Sequence, residues 1–350
     1  MAIRLGVIGC GGIAHAHGNS YKLLGDRVEF VACCDIVEEK AKKYAEEYGC
    51  KAYYTDCYTM FKEQKLDAVS VCTWNSAHSE CSIAALNAGC HVFCEKPMAM
   101  NTEEALAMKE AAEKNNKLLM IGFVRRHGDD AKMARTLIEN GELGEVYYAK
   151  ATYLRRCGFP GGWFGDKSRS GGGPLIDLGV HMIDLSIWLM GNPTPVSVSG
   201  CTYNKFASDT TESDSEHSRF GDAVVGGTFD VEDLAMGFIR FDNGACLQIE
   251  FSWASNIEQE HRFVELRGTK GGFKWIDSGE ARVFSEENGK LTDTIYKCDM
   301  GNGHGEALEH FTSIVLDNAE KDYVPVQGVN MIKILEAMYK SAETGKEVIL

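Results

Sequence analysis

Three polar residues interrupt an otherwise apolar segment near the middle of the chain, and their types could support proton transfer. Asp177, His181 and Asp184 stand at positions i, i+4 and i+7, which places them on one face of a helix. The segment between Pro174 and Gly191 is apolar elsewhere around the helix, so the helix is predicted to be buried. Buried carboxylates and imidazoles need protein partners or a polar ligand. The pattern therefore indicates either a self-satisfied polar cluster in the core or a catalytic site.

A glycine-rich turn close to the N-terminus indicates a dinucleotide site. The run Gly9-Cys10-Gly11-Gly12-Ile13-Ala14 matches G-x-G-x-x-A directly after a predicted strand and at the start of a predicted helix. In that context the first glycine makes the tight turn, the second lets the backbone approach a pyrophosphate, and the small alanine allows close packing. The residues assigned to the cofactor from this motif are Gly9, Gly11, Gly12 and Ile13.

Asp35 closes the second predicted strand, as the acidic residue of a dinucleotide-binding unit does. Its carboxylate can accept hydrogen bonds from the ribose hydroxyls of the adenosine, and its charge would repel a 2′-phosphate. The run Ile36-Val37-Glu38-Glu39 that follows contains no arginine that could bind such a phosphate. The sequence therefore favours NAD over NADP.

The N-terminal third alternates predicted strands and helices, which is typical of βαβ units in a parallel, doubly wound sheet. The predicted strands are 3–8, 28–34, 68–72, 91–94 and 118–121. The predicted helices are 13–24, 38–48, 79–88 and 102–115. We expect an α/β Rossmann domain over residues 1–123.

From about Glu145 the pattern changes to successive strands with glycine- or asparagine-containing turns, which predicts a large, mainly antiparallel open sheet. The predicted strands are 146–154, 196–204, 234–241, 245–253, 262–267, 272–276, 281–285 and 348–350. Helices are predicted at 174–190, 305–318 and 328–344, and the polar stretch 207–227 is predicted to be an extended surface loop. Residues 124–350 are thus expected to form an α+β domain for substrate binding and oligomerisation, with its last helices packing back on the first domain.

Composition excludes several classes of function. A formal net charge of −15 and a pI near 5.2 argue against nucleic acid and anionic membrane surfaces as partners. The N-terminal residues lead directly into a strand, so we expect no secretory signal. The sequence has no stretch of about twenty apolar residues, so we expect no membrane span. Thirteen cysteines without zinc-type spacing predict buried free thiols, no metal site and a reducing, cytoplasmic location.

Further motifs extend the argument to the whole chain. The run Cys94-Glu95-Lys96-Pro97 ends a predicted strand, and the glycine run 171–173 leads into Asp177 and His181. Together with the runs 73–78, 122–126 and 341–346, these motifs resemble the glucose-fructose oxidoreductase / inositol dehydrogenase (Gfo/Idh/MocA) family. The resemblance implies an NAD-dependent dehydrogenase that acts on a sugar or polyol.

That resemblance implies that Lys96, Asp177 and His181 are catalytic and meet at the nicotinamide, between the two domains. Histidine titrates near neutrality and suits transfer of the hydroxyl proton, while a lysine can stabilise developing alkoxide charge. Further residues implied to bind the cofactor are Thr73, Asn75, His78, Glu95 and Lys96. Residues implied to bind substrate are Lys96, Arg125, Arg155, Trp163, Asp177 and His181.

The favoured function is oxidation of a secondary hydroxyl of a sugar, glycoside or cyclitol, with C3 of a glucoside preferred. One alternative is an NAD-retaining glycosidase that oxidises C3 transiently, and another is a non-catalytic NAD-binding regulator. The resemblance also implies a homodimer or homotetramer. One face of the predicted sheet carries the apolar residues Leu247, Ile249, Phe251 and Trp253. We expect this face to point away from the predicted helix 174–190 and to pack against another subunit.

Overall fold

The computed structural model describes residues 2–205, 228–276, 279–299 and 301–350. The chain divides into two compact units. The first contains Met1–Phe123 and His304–Ile332, and the second contains Val124–Gly303 and Lys333–Leu350. The predicted loop at 207–227 lies outside the described residues.

The sheet of the first unit consists, within the described ranges, of six parallel strands in the order β3-β2-β1-β4-β5-β6. Its strands are β1 (Ile3–Ile8), β2 (Val28–Cys34), β3 (Ala52–Tyr54), β4 (Ala68–Val71), β5 (His91–Cys94) and β6 (Leu119–Ile121). The order reverses between β1 and β4, and in such sheets ligands bind beyond the carboxyl ends of the strands at that point. The glycine turn follows β1 there, and the segment that begins at Thr73 follows β4.

The helices of this part are α1 (Gly12–Leu23), α2 (Glu38–Tyr48), α3 (Cys57–Glu63), α4 (His78–Asn87) and α5 (Thr102–Lys114). Side-chain caps begin α3, where Asp56 accepts from the amide of Thr59, and α5, where Asn101 accepts from the amide of Glu104. Both β3 and α3 were absent from the sequence-based prediction. A strand of three residues carries too little periodicity to detect, and α3 is recognisable mainly by its Asp56 cap.

The sheet of the second unit contains nine strands among the described residues, in the order β14-β13-β12-β11-β7-β10-β9-β8-β15. They are β7 (Val146–Leu154), β8 (Pro195–Tyr203), β9 (Leu234–Phe241), β10 (Cys246–Ser252), β11 (His261–Gly268), β12 (Gly272–Ile276), β13 (Glu280–Glu287), β14 (Lys290–Lys297) and β15 (Val348–Ile349). The central pair β7 and β10 is parallel, and the other pairs are antiparallel. The predicted fold class is therefore confirmed, with one parallel pairing that consecutive hairpins would not produce.

The remaining helices are α6 (Asp129–Glu139), α7 (Lys167–Ser170), α8 (Val180–Leu189), α9 (Gly303–Asp317) and α10 (Pro325–Thr344). The predicted buried helix is present, but its first part, Leu175–Gly179, is a π-turn that leads into α8. We call Leu175–Leu189 the site helix. Helix α6 was not predicted.

The expected orientation of the apolar sheet face was wrong. Leu247, Ile249, Phe251 and Trp253 are fully buried within this single chain. They point toward the site helix, because Gly179 lies so close to Phe251 that a Cβ there would come within 2.8 Å of the phenylalanine ring. The site helix, and not another subunit, covers this face.

In the part of the chain that the structure describes, none of the helices is long and apolar enough to cross a membrane.

Candidate active site

The glycine turn has the shape that a pyrophosphate requires. Gly9 adopts φ +84°, and a Cβ there would lie 2.6 Å from the carbonyl oxygen of Cys72, so only glycine fits. Gly11 has open space where a Cβ would be, and it precedes α1 without a side chain that could cap the helix. The first amides of α1 and the open face of Gly11 therefore suit the phosphates of a dinucleotide.

Asp35 is fixed at the end of β2 by two backbone amides. Its Oδ2 accepts from the amide of Cys10 at 2.8 Å, and its Oδ1 accepts from the amide of Val37 at 2.8 Å. The first bond joins Asp35 to the glycine turn, so the carboxylate expected to bind the ribose is tied to the backbone expected to bind the phosphates. Each carboxylate oxygen has further acceptor capacity for ribose hydroxyls. The residues present thus fit NAD.

The segment after β4 is tied to the Glu-Lys-Pro motif by His78. His78 is fully buried, with Nδ1 at 2.7 Å from the carbonyl oxygen of Pro97 and Nε2 at 3.2 Å from that of Thr73. Burial lowers the pKa of His78, and a neutral imidazole donates only one hydrogen bond. Because its ring nitrogens are directed at protein carbonyls, His78 shapes the loops that carry Thr73 and the buried Asn75.

Glu95 joins the Glu-Lys-Pro motif to α1. His17 is fully buried, and its Nε2 lies 2.8 Å from Oε1 of Glu95, while its Nδ1 lies 3.3 Å from the hydroxyl of Ser70. Tyr21 contacts the same hydroxyl at 3.0 Å. The amide of Lys96 donates to Oε2 of Glu95 at 3.3 Å. The carboxylate therefore fixes the backbone from which the Lys96 side chain extends.

The charge of Glu95 is retained although the group is buried. Burial alone would raise the pKa of Glu95, but the hydrogen bond and charge of His17, with His304 and Lys96, lower it to about 2. Nε2 of His304 lies 3.9 Å from Oε1 of Glu95. A Cβ at Gly122 would come within 3.1 Å of that oxygen, so the small residue leaves room for the carboxylate.

In the second unit, Asp177 lies in the π-turn of the site helix and is bound by a tryptophan. Nε1 of Trp253 donates to Oδ2 of Asp177 at 3.0 Å. The indole is fully buried and packs against Phe159. A π-turn widens the helix locally and is frequent at functional sites. His181 follows in the first turn of α8, and its side chain is partly exposed.

Asp184 has a different partner from Asp177. Its two oxygens accept from Nε of Arg126 at 2.7 Å and from Nη2 at 2.5 Å, and both residues are about 3% exposed. A buried bidentate pair of this kind is structural unless a ligand competes for it. Asp177 and Asp184 therefore have partners on separate elements, Trp253 for the first and Arg126 for the second.

Of the other residues expected to contact substrate, Arg155 is buried, whereas Arg125 and Trp163 are half-buried. Arg155 is buried and donates to the carbonyl of Gly158 at 2.7 Å and to the hydroxyl of Tyr153 at 2.9 Å, so it holds its own loop. Arg125 is half-buried, with its guanidinium 5.8 Å from the Trp275 ring, and burial lowers its pKa. Trp163 is half-buried and stacks on Phe164, with ring centroids 4.3 Å apart.

Sequence reasoning missed several residues that hold these groups. They are His17, Glu232, Trp253 as a hydrogen-bond donor, and Tyr339. The available signal was weak: His17 is a polar residue on the inner face of α1, and Glu232 is one of three acidic residues in the run Asp230-Val231-Glu232-Asp233 before β9. Neither position reveals its partner, because each partner is distant in the sequence.

Comparison with known proteins assigns the chain to a family. Residues 3–123 match the profile of the Gfo/Idh/MocA oxidoreductase family, NAD-binding Rossmann fold, and residues 135–350 match that of its C-terminal alpha/beta domain. The chain belongs to this family. It is an oxidoreductase with an NAD-binding Rossmann domain, so the predicted family, enzyme class and cofactor are confirmed.

The relatives with named activities include several sugar and inositol dehydrogenases. The chain is 37% identical to a D-glucoside 3-dehydrogenase of Escherichia coli (strain K12), over 99% of this chain and 97% of that protein. It is 27% identical to a myo-inositol 2-dehydrogenase of Thermotoga maritima, over 99% and 93% of the two chains. A solved levoglucosan dehydrogenase in complex with NADH shares the fold, with a TM-score of 0.86, 23% identity, and coverage of 100% and 99%.

Replacing Asp35 by serine is expected to narrow the preference for NAD by about tenfold or more, since tenfold corresponds to about 1.4 kcal/mol of removed repulsion. Titration of NAD and NADP against both proteins, followed by calorimetry, measures the effect. Glu38→Ser removes an exposed acid from the same segment and is the control. Wild-type protein that binds NADP as tightly as NAD would contradict the role given to Asp35.

Replacing His17 by leucine is expected to lower the free energy of unfolding by about 3–5 kcal/mol at pH 7, since it leaves the Glu95 carboxylate buried without its main partner. The lowered pKa of Glu95 stabilises the fold above the unfolded pKa near 4.5, and this contribution is lost as the pH falls toward about 2. The difference in the free energy of unfolding between wild type and His17→Leu should therefore become smaller below about pH 4.5.

Urea unfolding at several pH values tests this expectation. His15→Leu is the matched control, because His15 lies on the same helix and forms a half-exposed pair with Glu47 at 3.3 Å. It should cost less than about 1 kcal/mol. Equal losses of unfolding free energy in the two variants would show that the buried pair of His17 and Glu95 does not cause the loss.

Proposed function

We propose that the enzyme oxidises a secondary hydroxyl of a sugar, glycoside or cyclitol, with C3 of a glucoside as the preferred position. The observation that carries the proposal is the 37% identity, over 99% of the chain, to a protein named for oxidation at that position. The residues that such chemistry needs, Lys96, Asp177 and His181, are all present, and the elements around them are ordered.

The proposed chemistry assigns one role to each of these residues. NAD, when bound, accepts the hydride that leaves the hydroxyl carbon. His181 takes the hydroxyl proton as a general base, which an imidazole can do near neutral pH. Lys96 donates a hydrogen bond to the same oxygen and stabilises developing alkoxide charge. Asp177, held by Trp253 at 3.0 Å, orients the base or binds a neighbouring hydroxyl.

On the substrate side, Trp163 and Arg125 are the best candidates for sugar contacts. Both are half-buried, and an indole or a planar guanidinium suits the face and the hydroxyls of a sugar ring. Arg155 supports them indirectly, because its guanidinium donates to the carbonyl of Gly158 in its own loop and to the hydroxyl of Tyr153.

A panel of glucosides and inositols, followed by NADH absorbance and product analysis, tests the proposal. Formation of NADH with a 3-keto product is the expected result. Release of the aglycone without net NADH would indicate the NAD-retaining glycosidase instead. Binding of NAD with no turnover of any panel member would favour a regulator and overturn the proposal.

Lys96→Ala and His181→Ala should each lower turnover by a factor of about a hundred to ten thousand and leave NAD affinity largely intact. Because both residues serve one proton transfer, the double variant should lose much less than the product of the single losses. The pH profile of kcat/KM should show an ascending limb from deprotonation of the general base, and the limb alone assigns neither residue.

Steady-state turnover and NAD titration of the three variants check these outcomes. Lys114→Ala and His261→Ala, which change exposed residues of the same two units, are the controls. Near wild-type turnover of His181→Ala would mean that the polar residues of the site helix are structural, and the proposed mechanism would be abandoned.

We also propose that the enzyme is a homodimer or homotetramer that assembles through the outer face of the large sheet. Met236 and Phe238 on β9 are 36% and 42% exposed and alternate with buried residues, so they point away from the core. Cys201, which pairs with Met236 on the adjacent strand, is also exposed. Exposed apolar side chains on one face of a sheet are often covered by a second subunit.

Light scattering at micromolar concentrations should give a multiple of 38.5 kDa for the wild type. A Met236→Glu, Phe238→Glu double variant should dissociate, because the interface would bury unpaired like charges. Leu291→Lys changes an exposed residue on the edge strand β14 and should not. A wild-type mass of one chain at every concentration would refute the assembly.

The cysteines support a cytoplasmic location for the enzyme. All thirteen cysteines lie in the described ranges and carry free thiols, and six of them are buried. Free thiols in this number persist in a reducing compartment.

A further inference from the structure

Glu232 is a buried carboxylate bound to the beginning of the site helix. It is 7% exposed, and it accepts from the amides of Gly173 at 2.9 Å and Leu175 at 3.1 Å. The first amides of a helix have no partner within the helix and carry its positive end. Glu232 thus supplies, from a segment far away in the sequence, the cap that Pro174 cannot provide.

Tyr339, on the C-terminal part of α10, holds the Glu232 carboxylate from the other side. Its hydroxyl lies 3.0 and 3.2 Å from the two carboxylate oxygens. Burial raises the pKa of Glu232, while the bonds from Gly173, Leu175 and Tyr339 oppose that rise. Burial and the neighbouring carboxylate raise the pKa of Tyr339, which keeps the hydroxyl protonated as a donor.

The glycine run before the helix is explained by the same contact. A Cβ at Gly172 would overlap the hydroxyl of Tyr339, and a Cβ at Gly173 would overlap the carbonyl oxygen of Glu232. Only glycine lets the chain approach Glu232 and Tyr339 so closely. The glycine run therefore permits a close contact between segments of the same chain within the second unit.

The contact bears directly on Asp177. Glu232 binds the amides at positions 173 and 175, and Asp177 follows two residues later inside the π-turn Leu175–Gly179. Trp253, which directly follows β10, donates a hydrogen bond to the Asp177 carboxylate. The turn that carries Asp177 is thus fixed at its start by Glu232 and at the side chain itself by Trp253.

We propose that Glu232, secured by Tyr339, is a positioning residue for the reaction, because it fixes the wide first turn of the site helix and with it the Asp177 carboxylate. The inference rests on the proposed function, in which Asp177 orients the base or a substrate hydroxyl. Glu232 itself contacts neither the substrate nor the cofactor in this account.

Glu232→Ala is expected to lower kcat on the order of a hundredfold, as displacement of a catalytic group by about 1 Å does. NAD affinity should be unchanged. Glu232→Gln keeps one acceptor oxygen and should recover most of the activity. Tyr339→Phe leaves the two backbone donors in place and should lower kcat by about two- to tenfold, and it should add little in the Glu232→Ala background.

The pH profile of kcat/KM separates positioning from simple loss of stability. A displaced Asp177 should shift the ascending limb in Glu232→Ala, whereas partial unfolding lowers the amount of active enzyme and leaves the limb in place. Ser341→Ala is the matched control. Ser341 lies on the same helix as Tyr339, and its buried hydroxyl accepts from the amide of Gly200 at 2.9 Å, away from the glycine run. The Ser341→Ala variant should leave kcat and the ascending limb of the pH profile unchanged.

Wild-type kcat and pH profile in Tyr339→Phe, together with either wild-type values or failure to fold in Glu232→Ala, would overturn the inference. A loss in Glu232→Ala that Ser341→Ala matches would also overturn it. The proposed function fails separately, by the absence of turnover in the wild-type enzyme. The two failures are therefore distinguishable.

Discussion

The need to give each buried charge a partner is the constraint on which both parts of the site depend. An ionised carboxylate in a protein interior costs several kcal/mol unless hydrogen bonds or a counter-charge compensate for it. Glu95, Asp184 and Glu232 are at most 7% exposed, and each is satisfied in a different way. Their partners are an imidazole, a bidentate guanidinium and a helix terminus with a tyrosine hydroxyl. Each pairing joins elements that are distant in the sequence.

Glycines make these pairings possible, and they do so in two physically different ways. At Gly11 the space beside Cα is open, which suits a ligand. At Gly122 and Gly173 the same space is occupied by protein, namely the carboxylate of Glu95 and the backbone of Glu232. A glycine-rich run therefore does not by itself mark a phosphate site. What lies within reach of the missing Cβ decides whether the glycine serves a ligand or the fold.

Local pattern was sufficient to predict the elements that carry the chemistry. Strand β1 and helix α2 have the predicted bounds, because apolar runs and charged amphipathic segments are properties of neighbouring residues. The parallel pairing of β7 with β10 was not predictable in this way, since it joins strands about a hundred residues apart. The π-turn was missed for a related reason: its sequence reads as an ordinary helix, and long-range contacts with Glu232 and Trp253 accompany the wider turn.

Residue type alone also did not separate recognition from support. Of the arginines near the site helix, Arg126 is bound to Asp184, and Arg155 holds the loop beside Trp253. Charged residues in such positions stabilise the geometry of the site and leave few donors for a substrate. Under the proposed function, discrimination between sugars would fall to residues with more exposed surface, such as the half-buried Arg125 and Trp163, whose surroundings can change without breaking a buried pair.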